Sequence, residues 1–130
     1  MLKLKQQISE ADRILQEERV VTKAVLRVGE RLGLAAKVLA RVIGLSEASI
    51  SRIKRGGLTL ERGTKAFELA VLLIRLFRSL DAITGGEDNL AREWLLGENT
   101  VLGGRPVDHI QTVSGLFQVI AYLDARRARV

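Results

Sequence analysis

Cysteine is absent from this chain of 130 residues, proline and histidine occur once each, and aromatic side chains are few. The missing cysteines exclude disulfides and thiolate metal sites, a composition that fits a reducing compartment. A single proline leaves long stretches without a helix breaker. With three Phe, one Tyr and one Trp, the core must be built from Leu, Ile, Val and Ala, which suits helix packed on helix. The expected class is all-α, in one domain or two small helical subdomains. The longest apolar run, Leu69 to Ile74, is far shorter than the roughly 20 residues of a membrane span. The start, MLKLKQQISEADR, lacks the apolar core and cleavage site of a signal peptide. These features place the chain in the cytoplasm, with no membrane partner expected.

What is present is basic. Lys and Arg number 21 against 15 Asp and Glu, a net charge of +6, which attracts polyanions such as nucleic acid. Residues 35–56, AAKVLARVIGLSEASISRIKRG, carry the order of features that a DNA-binding helix-turn-helix needs. Ala40 is small where two helices must approach. Gly44 ends the first helix, because the tight turn favours a positive φ. Ser46 caps the second helix by accepting a backbone N–H. Leu45, Ile50 and Ile53 form its apolar stripe. The polar remainder, Glu47, Ser49, Ser51, Arg52 and Arg55, suits contact with bases and phosphates. A purely structural helical hairpin would share the Ala and Gly but has no need of this polar face.

Helical spacing elsewhere organises the chain. Leu4, Ile8, Ala11 and Leu15 mark one face of a leader helix over 3–18, opposite Lys5, Glu10, Asp12, Arg13 and Glu17. That leader docks on its own chain, the preferred reading, pairs with a second copy, or is a partly frayed terminus. Val21, Val25, Val28 and Leu32 predict a separate helix over 20–32, ended by Gly33. Gly56-Gly57 close the recognition helix. A helix over 61–81 is so densely apolar that it must be covered on more than one face, which makes it the centre of the fold. Arg75 and Arg78 interrupt its apolar wrap. After Gly85-Gly86, Asp88 or Asn89 caps a helix over 89–96 bearing Leu90, Trp94 and Leu95. The loop GENTVLGGRPVD then leads to a last helix over 113–127 with Leu116, Val119, Ile120 and Leu123 inward. The resulting division is a leader, 1–20, a helix-turn-helix unit, 21–60, and a second helical unit, 61–130, the N-terminal half packed on the C-terminal half.

The chain resembles the Xre/MbcA/ParS family of bacterial antitoxins, from about Thr22 onward. The helix-turn-helix is similar to that family's Xre-type domain. The more specific likeness lies in the segments RLFRSLD (75–81), AREWL (91–95), NTVLGGRP (99–106) and TVSGLFQV (112–119), which follow the family's order. Many relatives carry an acidic residue where this chain has Ser114. The resemblance implies a type II toxin–antitoxin system. Its C-terminal domain would neutralise a cognate toxin, commonly of the RES fold and acting on NAD or using it for ADP-ribosylation. Its N-terminal half would repress the pair's own promoter.

On this reading Arg52 and Arg55 face guanine, and Ser49 and Ser51 touch phosphate or a nearby base. Ser46 and the first helix amides meet a phosphate, Glu47 accepts from cytosine N4, and Lys37, Arg41 and Lys54 hold the DNA backbone. A symmetric dimer on an inverted repeat is expected, since one recognition helix reads only a few base pairs. For the toxin, the expected contacts are Asn99, Leu102, Gly103, Gly104, Arg105 and Pro106 of the loop, with Arg75. Asn99 closes a turn through its own side chain, and the glycines permit close approach; the same residues also serve to shape the loop. Arg126, Arg127 and Arg129 either enter an anionic pocket or favour the negative end of the last helix. Trp94 is expected in the core. A single His109 beside Asp108, and a Gly103-Gly104-Arg105 that lacks the Lys-Ser/Thr of a phosphate-binding loop, give no basis for catalysis. No metal spacing is present, so no enzyme and no cofactor are expected. The rivals are a stand-alone helix-turn-helix repressor and a toxin-binding chaperone that no longer grips DNA.

Overall fold

The computed structural model describes residues 1–128, the side chain of Ile8 apart. Among the described residues there are seven helices: α1 (Leu2–Arg31), α2 (Ala36–Ile43), α3 (Glu47–Lys54), α4 (Lys65–Ile83), α5 (Asp88–Leu96), α6 (Pro106–His109) and α7 (Val113–Ala128). No strand is formed among them; the nearest thing is an isolated antiparallel bridge between Asn99 and Gly104.

The physical centre is α4. Phe67, Ala70, Leu73, Leu76, Phe77 and Leu80 are all buried along it, and α1, α2, α5 and α7 each pack against it. Thr64 caps it, accepting from the Phe67 N–H at 3.3 Å. The helix therefore starts at Lys65 rather than the expected Glu61, which instead lends its carbonyl to the Thr64 hydroxyl at 2.6 Å. A single core results, running from Val25 on α1 through Ile50 on α3 to Leu123 on α7.

Polar contacts pin the two halves at defined points. Arg31, at the end of α1, pairs with Asp81 at 3.2 Å and Asp88 at 3.0 Å and lies 4.5 Å over the Phe77 ring. Arg92 of α5 donates to the carbonyls of Arg31 and Glu30 at 3.0 and 2.9 Å, satisfying the last turn of α1. On the other flank Asp124 of α7 accepts from the buried Ser79 hydroxyl at 2.9 Å and from Arg75 at 2.6 Å.

Four further expectations are corrected. The spacing predicts separate helices over 3–18 and 20–32, yet α1 runs unbroken for 30 residues. No Gly or Pro stands at the join, and Thr22 accommodates itself in the helix by donating to the Glu18 carbonyl at 2.7 Å. Only the end of the leader docks on its own chain, where Glu17 and Glu18 meet Arg62; Leu2, Leu4 and Leu15 are exposed. The cap of α5 is Glu87, which leaves Asp88 for Arg31. The expected loop before α7 also holds one helical turn, α6, with Pro106 at its first position, where the missing N–H costs nothing.

Helix α7 lies so close to α6 that a Cβ on Gly115 would collide with the carbonyl oxygen of His109. Gly115→Ala is therefore expected to destabilise the protein by about 1–3 kcal/mol or more, read as a lower urea midpoint. Ser114→Ala, at the exposed neighbouring position, should leave the midpoint unchanged.

Candidate functional site

The helix-turn-helix is built as its chemistry requires. Gly44 ends α2 in the left-handed region, φ 73°, and its successor Leu45 donates to the Ala40 carbonyl at 2.8 Å. Ser46 then caps α3 by accepting from the Ser49 N–H at 3.1 Å. Ile50 and Ile53 are buried and root α3 in the core. The surface that remains consists of Glu47, Ala48, Ser51, Arg52, Lys54 and Arg55, all exposed. Ala48 stands three and four residues before Ser51 and Arg52, and Arg55 four and three after them, so the four share one outward strip.

The structure distributes the expected DNA residues unevenly. Arg52, Arg55, Ser51 and Glu47 fall on the outward surface of α3, with Lys54 on its flank, and Lys37 is exposed on α2. Ser49 is half-buried, and its hydroxyl accepts from that of Ser46 at 3.0 Å; the two serines serve the cap. Arg41 points toward the other half of the molecule, donating to Gln111 Oε1 at 3.3 Å. Two kinds of residue lie outside the sequence-based expectation. Ala48 offers an exposed methyl group at the N-terminal end of the strip, a match for a thymine methyl. Arg19 and Lys23 of α1 line, with Lys54, a groove of about 520 Å³ between α1 and the end of α3. Their spacing of four is the available signal, masked in sequence by the apolar face of the same stretch.

In the second half, Asn99 organises the 99–106 loop. Its side-chain oxygen accepts from the N–H groups of Val101 and Leu102, each at 3.0 Å. Its carbonyl accepts from Gly103 and Gly104 at 2.9 and 3.2 Å, and its own N–H donates to the Gly104 carbonyl at 3.0 Å. The turn is thus closed on itself, with Val101 at its tip 75% exposed. Leu102 and Gly104 are half-buried, Gly103 is exposed, and Pro106 is buried. Pro106 is therefore a packing residue and not a surface contact. Arg105 holds Asp108 in a two-point contact at 3.0 and 3.1 Å, and that carboxylate raises the Arg105 pKa further.

The expected arginines are partly committed. Arg75 pairs with Asp124. Arg126 donates to the Tyr122 hydroxyl at 3.0 Å and lies 5.7 Å from its ring centroid. Arg127 is exposed, and Arg129 lies outside the described residues. Trp94 is half-buried and stacks on Tyr122, centroids 6.1 Å apart, so α5, α7 and the loop meet at one aromatic pair. Val113 and Phe117, four apart on α7 and 56% and 53% exposed, are surface residues that the sequence reading does not single out. The signal is positional: both stand off the inward stripe of Leu116, Val119, Ile120 and Leu123.

A core-anchored recognition helix joined to a second helical half defines a protein of the helix-turn-helix class. Two family models place it more closely. The antitoxin Xre-like helix-turn-helix domain matches residues 14–75, and the antitoxin Xre/MbcA/ParS C-terminal toxin-binding domain matches residues 79–129. The chain belongs to the Xre/MbcA/ParS antitoxin family, and it is the antitoxin of a toxin–antitoxin pair, with a toxin as its protein partner. The first match reaches back to residue 14, well before the expected Thr22. No curated protein matched the chain. Among the described residues no helix is long and apolar enough to cross a membrane.

The single tyrosine reports on the aromatic junction. Hydrogen bonding from Arg126, and secondarily from Asn99, lowers the Tyr122 pKa from its ordinary 10.0 by favouring the phenolate. Ultraviolet titration should therefore give a midpoint below 10.0, and Arg126→Ala should move that midpoint upward. An unchanged midpoint in the variant would separate Arg126 from the ring.

Proposed function

We propose that this antitoxin neutralises a RES-type toxin, one that acts on NAD or uses it for ADP-ribosylation, and that it represses the pair's own promoter in the cytoplasm. The observation that carries the DNA half is the exposed Ala48–Ser51–Arg52–Arg55 strip on a helix capped by Ser46 and rooted by Ile50 and Ile53. In this reading the planar guanidinium groups of Arg52 and Arg55 meet guanine edges in the major groove. Glu47 accepts from cytosine N4, and Ser51 contacts phosphate or a neighbouring base. The first amides of α3 approach a phosphate beside Ser46. Lys37, Lys54, Arg19 and Lys23 neutralise the backbone. Two copies bind an inverted repeat, each reading one half-site.

The toxin identity rests on the family likeness of the second half. There the proposed contact surface is the Asn99–Arg105 turn with Val101 at its tip, the exposed pair Val113 and Phe117, and Arg126 and Arg127. Exposed apolar groups beside basic ones suit a protein surface that is covered in the complex. Asn99 acts by holding the turn in shape, and Gly103 keeps its backbone bare for close approach. Arg75 contributes through its pairing with Asp124, which fixes α7 against α4.

The two functions should separate by mutation. Arg52→Ala with Arg55→Ala is expected to weaken operator binding by about 1–3 kcal/mol for each base-reading arginine removed, measured by electrophoretic shift on the promoter fragment. The same variant should still rescue growth when the neighbouring toxin gene is induced. Conversely, Val101→Asp with Phe117→Asp should abolish rescue and complex formation while leaving the operator shift intact. Undiminished operator affinity in the arginine variant would sink the recognition-helix assignment, and full rescue by the aspartate variant would sink the toxin surface.

A further inference from the structure

The projecting part of α1 carries an apolar seam whose described side chains are exposed. Leu4, Ala11 and Leu15 fall on one line of the helix, and Leu4 and Leu15 are 60% and 48% exposed. Continued at the same steps of three and four, that line passes through Glu18, Thr22 and Val25, which are buried. The seam is thus one feature with two environments. From Glu18 onward its own chain covers it: the Glu18 carboxylate accepts from the Arg62 N–H at 2.6 Å, and Thr22 accepts from the Leu60 N–H at 3.0 Å. Before Glu18 the same stripe faces outward.

We infer that the leader is an interface between two copies of this chain, paired antiparallel with Leu4 of one copy against Leu15 of the other. This rests on the DNA-binding dimer proposed above and specifies how that dimer is made. Charge sets the direction. Lys5 and Asp12 follow Leu4 and Ala11 by one residue and so flank the seam on the same side. Antiparallel pairing in this register sets Lys5 of each copy beside Asp12 of the other, two ion pairs by symmetry. A parallel, in-register pair places Gln7 opposite Asp12 and Ile14 opposite Arg19, with no ion pair at all.

Sterics agree with charge. Because each chain covers its own seam from Glu18 onward, a parallel partner would carry its body into the same space. An antiparallel partner ends where that cover begins. Helix α1 is already rooted in the core, so the leader avoids the nucleation cost of a free helix of this length.

The spacing of the grooves beside the recognition helices gives an independent check. The groove between α1 and α3 is lined by Gln16 to Leu26 of α1, centred near position 21, while the antiparallel pair is centred between residues 9 and 10. At 1.5 Å per residue the two grooves stand about 35 Å apart along the α1 axis, close to the roughly 34 Å between successive major-groove faces on one side of DNA. The groove lies on the flank of α1 beside the seam. A two-fold axis perpendicular to the plane of the paired helices therefore keeps both grooves on the same side.

The absence of cysteine makes engineered thiols unambiguous. Full-length Leu4→Cys and Leu15→Cys chains would be oxidised separately and as a mixture. The expected result is little crosslinking of either alone and efficient disulfide formation between the two kinds in the mixture. Crosslinking of each variant with itself would overturn the antiparallel register, and no crosslinking in any sample would overturn the interface. In sedimentation experiments Lys5→Glu or Asp12→Lys alone should weaken the wild-type dimer at least about tenfold, and the double exchange should restore it. A wild-type chain that stays monomeric at high concentration, or a double exchange without rescue, overturns the inference. Operator binding by Arg52 and Arg55 is scored on separate variants, so failure of the leader interface stays distinguishable from failure of half-site recognition.

Discussion

Helix α4 is apolar on too many sides to be satisfied by any one neighbour. That constraint, more than any single contact, organises the molecule. Phe67 to Phe77 must be taken out of water from several directions, and α1, α2, α5 and α7 answer it together. The hydrophobic effect is non-directional, so direction comes from polar devices placed where these helices meet. Arg31 ties the end of α1 to Asp81 and Asp88, Arg92 occupies the last carbonyls of α1, and Asp124 joins α7 to Ser79 and Arg75. Each device satisfies groups that would otherwise be half-buried and unpaired, where the penalty for an unmade hydrogen bond is largest.

The functional surfaces follow the same logic. Every residue that holds α3 in place (Ser46, Ile50, Ile53) points inward or along the helix, which frees the outward strip for a polyanion. In the other half Asn99 uses both its backbone and its side chain to close the loop, so Val101 is presented on a turn that needs no further support. Rigid supports under exposed contact groups reduce the ordering cost that a partner would otherwise meet on binding.

Much of this is legible in the chain before any coordinates. The turn at Gly44, the cap at Ser46 and the central place of α4 follow from strong local signals: a positive φ, an N-cap oxygen and a surplus of apolar residues. The remainder is set by tertiary context. The change of partner along α1, from solvent to α4, looks in sequence like two helices, because the apolar line shifts slightly in composition at Glu18 and Thr22. Their hydrogen bonds to Arg62 and Leu60 come from residues about forty positions away, which no local pattern records. Arg41 has the residue type of a phosphate contact, but its direction depends on Gln111. Pro106 has the residue type of a surface exit, whereas the first turn of α6 carries it inward.

The two matched families meet inside a helix. The helix-turn-helix match ends at residue 75 and the toxin-binding match begins at 79, and both positions lie within α4. The junction is therefore a rigid rod and not a linker. An α-helix turns about 100° per residue, so adding or removing a single residue there would swing one half around the other by more than a quarter of a circle. A chimera that trades one toxin-binding half for another must be spliced within a helix and keep its phase. The orientation of DNA-facing and toxin-facing surfaces is inherited as a single angle.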